Sequence, residues 1–328
     1  MDDRPSLLVR EPAGPRSAER IARFVAALAA EHPQFRVLTW DRAADDGVLE
    51  SCRVLLTQQL RLEELDAVPH LRFVQSQTTG VDHLPLAELE KRSVRVANAA
   101  GTSATEIAEF VLARILEDAK RLPELAAAQQ HSRWTPMYGS GLRGAEVLLL
   151  GFGAINQEVA RLLSVFSASV RVIRRRPSDR PGPGVVAEHS DSDLDDLLSR
   201  AGVVVCAVPD GPETRGLLDA RRLARLRDGA LVVNVGRGSV LDEAALAAEC
   251  AAGRIRAALD VFTVEPLAEA SPLWSTPGIR ISAHSASVPA RALEGVERLF
   301  RTNLTRFLRG EHLVNQVAGP RAGEGVKS

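Results

Sequence analysis

The chain has 328 residues, enough for about two domains of ordinary size. Hydrophobic residues make up 45% and charged residues 25%, a globular profile that excludes a disordered, collagen-like or disulfide-stapled chain. A formal net charge of -1 leaves no surplus to neutralise a phosphate backbone, which excludes nucleic acid as the main partner.

From the N-terminus, Met1 to Pro15 carries acids and prolines in place of a basic start and an apolar stretch, and no apolar run reaches membrane-spanning length. Cys52, Cys206 and Cys250 stand far apart without metal-ligand spacing, so they read as buried small residues of a reducing compartment. The expectation is a cytoplasmic protein with no metal and no membrane partner.

Short apolar runs, Leu7 to Val9, Phe35 to Leu38, Val54 to Leu56 and Phe73 to Val74, each precede a helical pattern. Ser103-Ala104-Thr105-Glu106 reads as a capping box that opens a helix running to about Arg121. After an irregular stretch from Gln129 to Gly144, strands are expected at Val147 to Leu150, Val170 to Ile173, Val203 to Cys206, Leu231 to Val235 and Ala257 to Leu259. Pro177 to Gly184 is a loop, Val288 to Leu308 a last helix, and the tail from Gly319 is loose. Continuous apolar strands alternating with helices imply α/β architecture with parallel sheets covered on both faces.

Gly151-Phe152-Gly153-Ala154-Ile155-Asn156 follows a strand and opens a helix with Ile155, Val159, Leu162, Leu163 and Phe166 on one face. The first glycine permits a tight turn, the second lets a pyrophosphate approach the backbone, and the helix start at Ala154 and Ile155 offers N–H groups. Asn156 occupies the place of a third glycine and predicts a slightly displaced helix. Dinucleotide sites for NAD carry an acid at the end of the second strand, whereas here stand Arg174, Arg175 and Arg176. A guanidinium there suits a 2′-phosphate, which favours NADP over NAD; a solvated loop in an Arg-rich chain is the other reading.

Three downstream motifs, Asn234-Val235-Gly236-Arg237-Gly238, Leu259-Asp260-Val261-Phe262-Thr263-Val264-Glu265-Pro266-Leu267 and Ser282-Ala283-His284-Ser285-Ala286, resemble in order and spacing the D-isomer-specific 2-hydroxyacid dehydrogenases. The resemblance extends through Thr79-Gly80-Val81-Asp82-His83, Ile107-Ala108-Glu109, Val208-Pro209 and Asn303-Leu304, and so covers most of the chain. It implies catalytic roles for Arg237, Glu265 and His284. An imidazolium at His284 donates a proton to the developing alkoxide of a 2-keto acid, and the same ring acts as base in oxidation. A carboxylate at Glu265 fixes the tautomer and favours the charged ring, and the planar fork of Arg237 binds the substrate carboxylate and polarises the keto oxygen.

The same resemblance implies cofactor contacts from Asp260, from the main chain of Cys206 and Val235, and from Pro209 and Thr214. It assigns backbone N–H groups around Thr78, Thr79 and Gly80 to the substrate carboxylate. It implies two doubly wound parallel-sheet domains: a flavodoxin-like substrate domain of residues 1–97, a Rossmann coenzyme domain of 98–284, and a helix at 285–316 returning to the first, before a tail of 317–328. The cleft is expected at their junction, and a homodimer through the coenzyme domain. Arg133-Trp134-Thr135-Pro136 reads as a dimer-arm segment or as a Trp packed on its own domain.

Ser167 stands where the family commonly has Gly, and Ser282-Ala283 where Thr-Pro is usual. The arginines resemble those of NADP-using glyoxylate and hydroxypyruvate reductases, which gives the preferred substrate class. The chain does not carry the extra regulatory domain of longer phosphoglycerate dehydrogenases, although another 2-hydroxy acid such as 3-phosphoglycerate stays open. The alternative from another class is a dinucleotide-sensing protein similar to the corepressors of this family.

Overall fold

A computed structural model describes residues 4–10, 18–81 and 83–320; Asp82 and the tail from residue 321 lie outside the described residues. The chain divides into two compact units, residues up to Thr102 with those from Pro289 onward, and Ser103–Val288. These division points stand a few residues beyond the 97 and 285 read from sequence.

The first unit begins with β1 (Ser6–Val9), α1 (Ala18–Glu31), β2 (Arg36–Thr39), α2 (Trp40–Asp45), β3 (Cys52–Thr57), β4 (Phe73–Ser76), α3 (Leu86–Lys91) and β5 (Arg95–Ala97). The second unit runs through α4 (Ala104–Ala119), α5 (Leu122–Gln130), β6 (Glu146–Leu150), α6 (Ala154–Val165), β7 (Ser169–Ile173), β8 (Ala187–His189), α7 (Leu194–Arg200), β9 (Val203–Cys206), α8 (Ala220–Arg225), β10 (Leu231–Asn234), α9 (Glu243–Ala251), β11 (Arg256–Leu259) and β12 (Ile279–Ile281). The chain then returns to the first unit with α10 (Pro289–Leu308) and β13 (Gln316–Ala318).

In the first unit the strand order is β13-β5-β4-β3-β1-β2, parallel except for β13. Its β2-β1-β3-β4-β5 core is the flavodoxin-like order. Phe24, Phe73 and Phe300 fill one face of the sheet, with the last two rings stacked at 6.1 Å, while Trp40, Leu65 and Leu89 fill the other. Helix α10 is fastened to the sheet by buried Asn303, which donates to Gln75 Oε1 (2.8 Å) and accepts from Val314 N–H (2.7 Å). That network explains a polar residue on the apolar side of the last helix, since buried polar groups must be paired.

The second unit's sheet has the order β12-β11-β10-β9-β6-β7-β8 and is parallel throughout. The β8-β7-β6-β9-β10-β11 portion is the Rossmann order, with its switch point between β6 and β9. Leu148, Leu150, Val204 and Cys206 enter one core layer while Val147, Leu149, Val203 and Val205 enter the other. The continuous apolar runs therefore cover both faces, as a doubly wound sheet demands.

Several sequence expectations are corrected. Ser103 is the N-cap of α4, but its side chain makes no capping hydrogen bond, so the capping box does not form. Helix α4 stops at Ala119 because Arg121 takes a left-handed φ of 56°, and α5 then starts with a proline in its first turn. Strands β5, β8, β12 and β13 escaped the reading because each is three residues long, and Arg95, Glu188, His189, Arg280 and Gln316 interrupt the apolar pattern. With β13 at Gln316–Ala318, the expected tail starts after a strand and not at residue 317. The three cysteines are buried, as read.

Candidate active site

The residues singled out by sequence in the second unit follow the carboxyl ends of β6, β7, β9, β10, β11 and β12. At the end of β6, Gly151 takes φ +81°, a value that L side chains rarely adopt, and donates its N–H to Ile173 O (2.8 Å). Gly153 is the N-cap of α6, and a Cβ built there would meet nothing within 4 Å. That open space lies beside the N–H groups of the first helical turn, so the loop fits a pyrophosphate.

Asn156 ties the helix to the strand. Its side chain is buried, and Nδ2 donates to Leu150 O (2.9 Å) and Gly151 O (2.8 Å), tying helix to strand where a third glycine would only allow close approach. The inward face of α6 carries Asn156, Val159, Ala160 and Leu163, while Phe166 lies outside it. Ser167 has φ 56°, the left-handed conformation that explains why glycine suits this helix end.

Arg174 follows β7 and is held on two sides. Its Nη1 lies 3.3 Å from Glu188 Oε2, and its guanidinium stands over the Phe152 ring at 5.8 Å. Arg175 pairs with Glu213 at 3.4 Å in full view of solvent. At the end of β9, Cys206 O accepts from Val235 N–H (3.1 Å), which joins the two main-chain positions assigned to the cofactor. Burial pushes the Cys206 thiol up to about 12, so it is no nucleophile. Thr214 donates its hydroxyl to Pro209 O (2.6 Å), closing the loop that carries both.

Arg237 sits on a loop that the backbone fixes. Asn234 Nδ2 donates to Arg237 O (2.9 Å), Asn234 Oδ1 accepts from Gly236 N–H (3.1 Å), and Arg237 Nη1 donates to Gly236 O (2.8 Å). Any Cβ on Gly238 would overlap the backbone of Phe262 and Thr263, so the Arg237 loop packs directly on the loop that leads to Glu265. Asn234, the last residue of β10, carries no role in the motif by itself; its strand-end position is the signal for one.

Glu265 and His284 meet. Glu265 Oε2 is 2.8 Å from His284 Nδ1, and Oε1 accepts from Phe262 N–H (2.9 Å). Burial pushes the Glu265 carboxyl up, but the hydrogen bonds from His284 and Phe262 and the charges of His284 and Arg237 outweigh it and hold the group below its ordinary value. His284 has φ 50°, a strained conformation for a side chain of this size. Asp260 sustains it: His284 N–H donates to Asp260 O (2.9 Å), while the carboxylate accepts from Ser282 Oγ (2.6 Å), Ser285 N–H (2.8 Å) and Ala286 N–H (3.1 Å). The resemblance implies a cofactor contact for Asp260; both of its carboxylate oxygens also brace the His284 turn. Ser282, which departs from the usual family residue, contributes to that brace.

In the first unit, Thr78, Thr79 and Gly80 follow β4. Thr78 N–H donates to Ser76 Oγ (3.1 Å), and its hydroxyl donates to Gly80 O (2.7 Å). Asn98 Nδ2 donates to Thr79 O (2.8 Å). On the segment after α5, Trp134 is 97% exposed, which removes the alternative of a Trp packed on its own unit.

The family described as "D-isomer specific 2-hydroxyacid dehydrogenase, NAD binding domain" matches residues 112–286. The chain belongs to the D-isomer-specific 2-hydroxyacid dehydrogenase family. Among relatives, a glyoxylate reductase of Thermofilum pendens is 32% identical over 266 residues, covering 78% of each chain. A D-3-phosphoglycerate dehydrogenase of Mycobacterium bovis is also 32% identical, but this chain spans only 48% of its length. The solved D-isomer-specific 2-hydroxyacid dehydrogenase of Xanthobacter autotrophicus, in complex with NADPH and MES, is 32% identical with a TM-score of 0.82 over 95% of this chain and 98% of that one. As a D-2-hydroxyacid dehydrogenase, the protein is an oxidoreductase that acts on CH–OH donors with a nicotinamide dinucleotide. Among the described residues, no helix is long and apolar enough to cross a membrane.

Proposed function

We propose that the enzyme reduces a small 2-keto acid, glyoxylate or hydroxypyruvate, with NADPH. The 2.8 Å contact between Glu265 and His284 Nδ1 carries this reading. With Nδ1 engaged by the carboxylate, Nε2 is the nitrogen left to give a proton to the substrate oxygen during reduction and to take it back in oxidation. The bound nicotinamide supplies the hydride. Arg237 grips the substrate carboxylate and offers N–H to the keto oxygen as negative charge grows there. For Thr78, Thr79 and Gly80, the proposed carboxylate contact narrows to the amides of Thr79 and Gly80, because Thr78 N–H is taken by Ser76.

Gly151, Gly153, Ala154 and Ile155 would hold the pyrophosphate, and Arg174 with Arg175 the 2′-phosphate. The small-acid choice is supported by the glyoxylate reductase relative, which matches over most of its length, and the NADPH choice by the Xanthobacter structure together with the arginines at the end of β7. The unpaired buried cysteines support a reducing, cytoplasmic setting. Exposed Trp134 and Tyr138 support a homodimer through the coenzyme unit, which sedimentation of the purified protein as a monomer would remove.

The test is oxidation of NADPH and NADH with glyoxylate, hydroxypyruvate, pyruvate, bulkier keto acids and phosphohydroxypyruvate. Fastest turnover is expected with NADPH and one of the first two acids. A preference for the phosphorylated acid would overturn the substrate assignment. Tight dinucleotide binding without oxidation of either cofactor would point to a sensor.

A further inference from the structure

Beneath the arginines at the end of β7 lies a carboxylate to which the sequence assigned no role. Glu188 stands on β8 opposite Val172 of β7, and its side chain is only 2% exposed. An isolated buried carboxylate would be costly, so the groups around it must compensate its charge. Three donors do so: Arg174 Nη1 at 3.3 Å and Ser178 N–H at 2.9 Å, both to Oε2, and Gly182 N–H at 3.3 Å to Oε1. Ser178 Oγ turns the chain between those two amides, accepting from Arg180 N–H (3.1 Å) and donating to Arg180 O (3.0 Å). One side chain thus closes the loop from residue 174 to residue 182.

The loop also touches the glycine-rich turn. The Phe152 ring, over which Arg174 stands, fills the place of a Cβ on Gly182, with Cε1 only 2.6 Å from that position. Arg174 is therefore set between an aromatic face and a buried anion, while its own side chain keeps 38% exposure. Its planar fork has five N–H donors, so the contact with Glu188 leaves others for an anion.

We propose that Glu188 is a positioning residue for cofactor selection, holding Arg174 and the 174–182 loop in the geometry that receives a 2′-phosphate. This rests on the NADPH reading above. Two effects of Glu188 oppose each other, since its charge repels a phosphate while its contacts order the guanidinium. The contacts prevail because the charge is already met by three donors. Its removal would leave the Ser178 and Gly182 amides without their acceptor and Arg174 without its anchor.

The experiment compares the wild-type enzyme with Glu188→Gln, Glu188→Asp, Arg174→Ala and the double variant Arg174→Ala/Glu188→Gln. Calorimetry reads affinity for 2′,5′-ADP and for 5′-AMP, and kinetics give kcat and KM with NADPH and NADH. Glu188→Gln is expected to weaken 2′,5′-ADP about fivefold while leaving 5′-AMP unchanged, and the double variant to bind no worse than Arg174→Ala alone. KM for NADPH should rise with kcat unchanged, and KM for NADH should stay put. Glu188→Asp, too short to reach all three donors, should fall between, and it carries the comparison if the Gln variant does not fold. Wild-type or tighter 2′,5′-ADP binding by Glu188→Gln overturns the proposal, as does an equal loss for both nucleotides. If Arg174→Ala leaves 2′,5′-ADP binding unchanged, the proposal falls by itself; the NADPH reading fails only if the wild-type enzyme shows no preference for NADPH over NADH.

Discussion

The loops after β10, β11 and β12 and the loop after β7 solve the same problem by different means. Around Arg237, Glu265 and His284, nearly every tie is a main-chain contact or a hydrogen bond to a residue at a strand end: Asn234 to Arg237 O, Asp260 to the amides of Ser285 and Ala286, Phe262 N–H to Glu265. Around Arg174 and Arg175 the backbone is tied too, Arg174 N–H donating to His189 O (3.0 Å), but the guanidiniums themselves are held by side-chain pairs, one to buried Glu188 and one to exposed Glu213. In the proposed reading the reacting groups are thus placed by an over-determined backbone, whereas selection of the dinucleotide leans on exchangeable side chains. Precision matters most where protons move, because small misplacements there cost large factors in rate.

Substitutions in the first group should therefore break chemistry while sparing cofactor binding. His284→Ala is expected to lower kcat by about 10²- to 10⁴-fold with dinucleotide affinity unchanged, read by stopped-flow and fluorescence titration. Near-normal turnover would remove His284 from the mechanism. Gly238→Ala should cost about a hundredfold in kcat/KM and more than about 2 kcal/mol of stability, because its methyl group cannot be placed without moving the Phe262 backbone. A variant with unaltered melting would show that the loop yields easily.

Glu265→Gln is expected to lower kcat by about tenfold to a hundredfold, since an amide does not hold the ring's tautomer and orientation at the 2.8 Å contact as a carboxylate does. It also carries a pH dependence. Glu265 is held below its ordinary value of 4.5 in the folded state, so its contribution to stability is present above that pH and is lost as pH falls through the depressed value. The difference in Tm between wild type and Glu265→Gln should accordingly hold from neutral pH down to the ordinary carboxylate range and close below it. A difference that widens on acidification would contradict the assigned direction.

The parts legible in the sequence were those with period or spacing. The apolar runs at Val147 to Leu150 and Leu231 to Val235 marked central strands because both faces are buried, and the three spaced motifs marked Arg237, Glu265 and His284. What stayed hidden depends on contacts between residues far apart or on conformation without pattern. Asp260 offered an acid after a strand, but its bonds to Ser282, Ser285 and Ala286 arise only when β11 and β12 lie side by side. Glu188 sits in a three-residue strand between Ala187 and His189, so no periodicity announced either the strand or its burial. Asn156 reads as a defect in the glycine loop because the two backbone carbonyls that its amide bonds carry no mark in the sequence.

The smallest effect is expected at Arg175, and it tests the comparison from the other side. Its pair with Glu213 spans 3.4 Å with both side chains largely exposed, at 80% and 69%. Such pairs contribute between nothing and about 1 kcal/mol, so Arg175→Ala should leave Tm unchanged. Its charge still adds to the field at a 2′-phosphate, and KM for NADPH should rise about two- to fourfold at low ionic strength. Added salt should erase the difference, because an exposed charge is screened over a Debye length while the buried contact of Arg174 with Glu188 is not. If Arg175→Ala instead cost more than Arg174→Ala and resisted salt, the exposed arginine would be the main phosphate ligand, and the held geometry of Arg174 would serve chiefly the loop.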